Sequence, residues 1–96
     1  MQKQNELTSY SVIFQQPGHI VSDMNGEKVM LSIENGKYYN LGTIGGEIWS
    51  LIEKPVTIEA VINELESRYE VDRSRCEMEV MDFVNELMKE NLIQHE

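Results

Sequence analysis

The sequence has one cysteine, two prolines and two histidines in 96 residues. A single thiol, Cys76, excludes a disulfide within the chain and suits a reducing compartment. No apolar run approaches the roughly 20 residues that a membrane-spanning helix needs. The first twenty residues, MQKQNELTSYSVIFQQPGHI, hold no apolar core of a signal peptide. The expectation is a soluble, cytoplasmic protein with no membrane partner. Basic side chains are scarce as well: 8 Lys and Arg stand against 17 Asp and Glu, for a formal net charge of -9. Nucleic-acid affinity rests on Lys and Arg neutralising phosphates, and no run of them is present, so a nucleic-acid partner is not expected.

Reactive constellations are equally sparse. His19 and His95 lie near opposite ends of the chain, and neither belongs to a Cys/His cluster of the kind zinc sites use. The segment GTIGGE lacks the lysine and the spacing of a phosphate-binding loop. Cys76 follows Arg73 and Arg75 near a helix start, a setting that lowers a thiol pKa, but its place on an apolar stripe favours a structural role. The Asp and Glu residues read as solvated helix faces. No catalytic residue, metal site or cofactor is expected, and the chain is read as a non-enzyme.

What is present is a clear change of period along the chain. Residues 1–10 are polar and read as a flexible N-terminus; residues 11–96 read as one domain. Ser11 to Phe14 is a possible short strand, broken by Pro17-Gly18. Ile20 to Asp23, Lys28 to Ile33 and Lys37 to Leu41 read as three antiparallel strands, joined at Asn25-Gly26 and at Asn35-Gly36, two strong hairpin signals. The alternation puts Val29, Leu31 and Ile33 on the buried face. A two-residue second turn would pair Ile33 with Tyr38 and point Tyr38 and Asn40 at the core. A three-residue turn, with Gly36 left-handed, would pair Ile33 with Lys37 and Leu31 with Tyr39. That arrangement is preferred because it turns Tyr39 and Leu41 inward and Tyr38 and Asn40 outward.

After Gly42 the period becomes helical. A first helix is predicted over about Thr43 to Glu53, with Ile44, Ile48, Leu51 and Ile52 on one face and Gly45-Gly46 suited to close packing. Thr57 is a candidate N-cap for a second helix carrying Ile58, Val61, Ile62, Leu65 and Tyr69. Asp72 is a candidate cap for a third, over about Arg73 to Glu90, ended by Asn91, with Cys76, Val80, Phe83, Val84 and Leu87 as its stripe. The expected fold is α+β and winged-helix-like: a three-stranded antiparallel sheet followed by three helices.

An uncovered third strand would offer unpaired N–H and C=O groups, and such an edge accepts an added peptide strand. An open edge also permits weak homodimer formation beside a monomer. On the third helix, Val84, Glu77, Met81 and Met88 flank the core face, and methionine suits an adaptable binding surface. The alternative is that these residues are core or scattered surface.

These residues carry a resemblance. The run from Pro17-Gly18 through GEKVMLSIENGKYYNLGTIGGEIWSLI resembles the PqqD-like family, in its strand, Asn-Gly turn, Tyr38-Tyr39 strand, Leu41 corner and Ile48-Trp49 helix. Thr57, Tyr69, Asp72 and the third helix extend the match to about residues 17–93; the order Asn40-Leu41 departs from the Leu-Asn of many members. The resemblance implies a domain that binds the leader segment of a ribosomally synthesised precursor peptide and presents the rest to modifying enzymes. It implies a leader strand on Lys37, Tyr38, Tyr39, Asn40 and Leu41, in a cleft with Arg73, Glu77, Val80, Met81, Val84 and Met88. The expected partners are the leader peptidase and cyclase of a lasso-peptide pathway, or else a radical-SAM enzyme as in pyrroloquinoline quinone assembly. Rival classes are a winged-helix DNA-binding regulator, disfavoured by the acidic helices, an enzyme, and a generic protein-interaction adaptor.

Overall fold

The computed structural model describes residues 7–96. It is an α+β fold with three helices and two antiparallel three-stranded sheets. In chain order the elements are β1 (Val12–Gln15), β2 (His19–Met24), β3 (Glu27–Ser32), β4 (Lys37–Leu41) and α1 (Gly42–Leu51). They continue with β5 (Val56–Thr57), α2 (Ile58–Arg68), α3 (Arg73–Lys89) and β6 (Ile93–His95).

The expectation of three strands followed by three helices is corrected here. The meander β2-β3-β4 is present, but β1 pairs with β5 and β6 in a second sheet, ordered β5-β1-β6, built from segments that flank the helices. A single sheet preceding a winged-helix trio does not describe this topology. Residues 1–6 of the segment expected to be flexible lie outside the described residues, while Leu7 is buried in the core.

Local chemistry explains most boundaries. Asn25 (φ 57) and Gly26 (φ 85) form the two-residue turn between β2 and β3, where two consecutive positive φ angles match the twist of a hairpin. Thr57 caps α2 by accepting from the Ala60 amide at 3.1 Å, and Asp72 caps α3 by accepting from that of Arg75 at 3.2 Å. Asn91 (φ 64) ends α3 in the left-handed conformation. Leu92 and Ile93 then pack into the core.

The β3-β4 register differs from both alternatives read from the sequence. Ser32 faces Lys37 and Leu31 faces Tyr38, so the connecting loop has four residues, Ile33 to Gly36. The buried residues of β3 are therefore Met30 and Ser32, while Ile33 is 63% exposed. Ser32 is tolerated inside because its hydroxyl accepts from the Asn35 amide at 3.1 Å and its carbonyl from the Gly36 amide at 2.8 Å. Leu31, Ile20 and Tyr38 form a row on the opposite face. With apolar residues on both faces, alternation alone does not tell which one meets the core. Tyr39 and Leu41 do turn inward, and Tyr38 and Asn40 outward.

The core gathers Ile48 and Trp49 of α1 with Ile52 just past its end, Ile58, Val61, Ile62 and Leu65 of α2, and Cys76, Val80, Val84 and Leu87 of α3. Ile13 and Ile93 close it from the second sheet and Met30 from the first.

Candidate functional site

β4 ends the first sheet, and no described strand pairs with its outer side. β1 does not cover it, because it lies in the other sheet, between β5 and β6. On an antiparallel edge, alternate residues direct both N–H and C=O outward, so β4 presents unpaired main-chain groups. Tyr38 is 75% exposed beside this edge.

Four polar contacts link β4 and the loop before it to one another and to the C-terminal end of α3. The Tyr39 hydroxyl donates to Glu90 Oε1 at 2.8 Å, and Asn35 Nδ2 donates to the Tyr39 hydroxyl at 3.0 Å and to the Glu90 carbonyl at 2.9 Å. Lys37 Nζ lies 3.6 Å from Glu90 Oε1. The Tyr39 hydrogen bond, and then the Lys37 charge, hold the Glu90 carboxyl below its ordinary range.

The other end of β4 meets α1 and the middle of α3. A Cβ on Gly45 would stand 2.9 Å from Phe83 Cζ and 3.4 Å from Leu41 Cβ, so the missing side chain is what lets the Phe83 ring close against α1 beside Leu41. β4 and α3 thus run in opposite directions, with Lys37 near Glu90 and Leu41 near Phe83. Past Phe83 opens a cavity of about 590 Å³. Ile44, Gly45 and Ile48 line it from α1, Leu65, Tyr69 and Val71 from the end of α2 and its loop, and Cys76, Val80 and Phe83 from α3. Glu70, Asp72, Arg75 and Glu79 are its charged residues.

Of the residues read from the sequence, Lys37, Tyr38, Tyr39, Asn40 and Leu41 form the edge strand itself. Val80 belongs to the cavity wall. Val84 has no exposed surface, which corrects its assignment to a peptide-contacting flank: it is core. Phe83, assigned to the core, is only partly buried. The other α3 residues lie elsewhere. At about 100° per residue, Phe83, Glu79 and Glu90 fall on one side of the Val80 direction and Glu77, Met81 and Met88 on the other. That second side turns toward α2. Arg73 donates to Asn63 at 2.6 Å, to Glu66 at 2.9 Å and to Glu77 at 3.2 Å, and pairs with Glu59. The structure therefore does not bring Arg73, Glu77, Met81 or Met88 together with β4.

Sequence reasoning missed Phe83, Gly45 and Val71 as groove residues. The Gly45-Gly46 pair was the available signal, since a small residue early in a helix marks close approach. Burial pushes the Cys76 thiol up, so the neighbouring arginines do not activate it. A second polar cluster braces α1 against α2: Tyr69 donates to Glu47 at 2.6 Å and Arg68 pairs with the same carboxylate, which together lower its pKa. Among the described residues, no group of three His, Cys, Asp or Glu side chains is placed to hold a metal ion, and no helix is long and apolar enough to cross a membrane.

An open sheet edge beside a helix-lined apolar groove is the kind of surface to which an extended chain can be added as a strand. The family model described as Coenzyme PQQ synthesis protein D (PqqD) matches residues 27–93. The chain belongs to this family, and is a PqqD-like precursor-peptide recognition element, as its sequence pattern implied. Among solved structures it is similar to TbiB1 in complex with the TbiA(beta) leader peptide, at 27% identity and a TM-score of 0.76, covering 84% of this chain and 94% of that one. No curated protein sequence matches it.

Proposed function

We propose that this protein binds the leader segment of a ribosomally synthesised precursor peptide by adding it as a strand to β4, in the groove bounded by α3, and delivers it to modifying enzymes. The free β4 edge beside Phe83 and the cavity carries this reading. The similarity to TbiB1, a protein whose structure contains a leader peptide, supports it.

Main-chain groups of Lys37 to Leu41 supply sequence-blind hydrogen bonds, and side chains beside the edge supply selection. Tyr38 and Phe83 are the apolar contacts, Tyr39 and Leu41 hold the strand against the core, and Val80 lines the groove floor. Lys37 and Asn40 stand at the rim, where charge tunes register and on-rate more than affinity. The protein works without catalysing a reaction; the chemistry belongs to its partners. Those partners are the leader peptidase and cyclase of a lasso-peptide pathway. The family description, Coenzyme PQQ synthesis protein D, favours a second reading, the one the resemblance also implied: a radical-SAM peptide-modifying enzyme as the partner.

The test is a fluorescence-polarisation titration with the labelled leader of the short precursor encoded beside this gene. Saturable binding by the folded monomer supports the proposal. No binding at tens of micromolar overturns it in favour of an adaptor for another protein.

A further inference from the structure

β4 does not pair with β3 in one unbroken register. Val29 faces Asn40, so an unbroken ladder would set Lys28 opposite Leu41; instead Lys28 bridges to Gly42. Leu41 is thus one extra residue on the edge strand, a β-bulge, and its backbone is right-handed helical (φ -83, ψ -15) instead of extended. Gly42 follows at φ 72, which glycine adopts without strain. The regular ladder therefore ends at Asn40.

The Asn40 side chain holds this bend. It points outward, and both ends of its amide are engaged: Oδ1 accepts from the Gly42 amide at 2.9 Å, and Nδ2 donates to Glu27 Oε1 on β3 at 3.2 Å. Turned over, the amide would set its NH2 group against the Gly42 N–H and its oxygen against the Glu27 carboxylate, so the two contacts admit one orientation. The Gly42 amide is the first donor past the bulge, and with Asn40 Oδ1 on it that amide is not free for the carbonyl of an added strand.

We infer, resting on the leader-binding reading above, that Asn40 is a positioning residue that ends strand addition and so sets its register. Its side chain acts through the Gly42 amide, not on the peptide. The peptide pairs along Lys37–Asn40 and leaves the edge at the Leu41 bulge. Main-chain pairing is blind to sequence, and a slip of one residue turns every peptide side chain to the opposite face. A fixed end to the ladder removes the slipped alternatives.

The test measures the affinity of a set of singly N-methylated leaders of the adjacent precursor for the wild type, Asn40→Ala and the double variant Asn40→Asp with Glu27→Gln. The double variant exchanges amide and carboxylate: Asp accepts from the Gly42 amide, and Gln donates to the Asp. Both positions are exposed, so circular dichroism and thermal melts should show all three folded. On the wild type, sensitivity should alternate along the leader and stop abruptly at one end. Asn40→Ala should bind the unmodified leader about threefold to tenfold more weakly, and its scan should lose the sharp end and the alternation as registers mix. The double variant should restore the affinity to within about twofold and the wild-type pattern with it. A uniform loss in Asn40→Ala with the pattern unmoved overturns the register role and leaves strand addition standing, as does wild-type behaviour throughout. A double variant that keeps the Asn40→Ala pattern overturns the assignment to the Gly42 and Glu27 contacts. A leader that fails to bind the wild type, or a wild-type scan without alternation, overturns both this inference and the reading it rests on.

Discussion

The Tyr39 hydroxyl donates to Glu90 Oε1 at 2.8 Å, across 51 positions of sequence, and ties the edge strand to the C-terminal end of α3. Lys37 reaches the same carboxylate. This contact closes one end of the groove, and the Gly45-Phe83 approach sets its width at the other. The proposed strand addition at β4 therefore rests on side chains that belong to no single local segment.

The Glu90 contact makes a pH-dependent contribution to stability. The Tyr39 hydrogen bond and then the Lys37 charge hold the Glu90 pKa in the folded state below its ordinary value. A depressed carboxyl stabilises the fold above its unfolded pKa, and that contribution is lost as pH falls through the folded value. Glu47, lowered by Tyr69 and Arg68, acts in the same direction. Glu90→Gln should unfold at lower urea than the wild type at pH 7, and the difference should shrink as pH falls below about 4.5. Urea melts at both pH values check this.

Gly45→Ala should separate binding from stability. Alanine raises helix propensity by up to about 1 kcal/mol. Its methyl group would sit 2.9 Å from Phe83 Cζ, so the half-buried ring must swing away from α1 into the groove. The melting temperature should move by only a few degrees, about what 1 kcal/mol produces in a domain of this size. Leader affinity in the same polarisation assay should fall by about fivefold or more.

The two sides of α3 should behave differently. Phe83→Ala removes a groove contact and should cost about 1–3 kcal/mol of binding. Met81 packs against the core on the side that carries Glu77, so Met81→Ala should lower stability and leave leader affinity within about twofold. Paired titrations and thermal melts of the two variants distinguish this arrangement from a groove on the methionine side.

Ser32→Ala should destabilise the protein from inside the core, where Ser32 is fully buried. The substitution removes the acceptor of the Asn35 amide and should cost about 1 kcal/mol, measurable as a lower urea midpoint at unchanged slope.

Local signals were legible in the sequence, and placement was not. Asn25-Gly26, Thr57, Asp72 and Asn91 act within four residues of themselves, so their turns and caps could be read directly. The sheet β5-β1-β6 could not. It joins segments of two to four residues from the two ends and the middle of the chain, too short to show a period. The β3-β4 register was hidden because Ile20, Leu31 and Tyr38 make the outer face as apolar as the inner one. The candidate site divided in the same way. Edge strand Lys37–Leu41 followed from a hairpin pattern, whereas the working side of α3 depends on Gly45 and Glu90, which only the fold brings to β4. Phe83 and Val84 are adjacent in sequence, and tertiary neighbours alone decide which faces the groove.

Strand addition to β4 is tested most directly by scanning the leader with single N-methyl groups and measuring the affinity of each peptide. An added strand donates to β4 through every second amide. The account predicts losses of about tenfold or more at alternate positions over a stretch of about five residues, with small effects between them. Equal tolerance at every position, or sensitivity without a period of two, in a leader that still binds would contradict it.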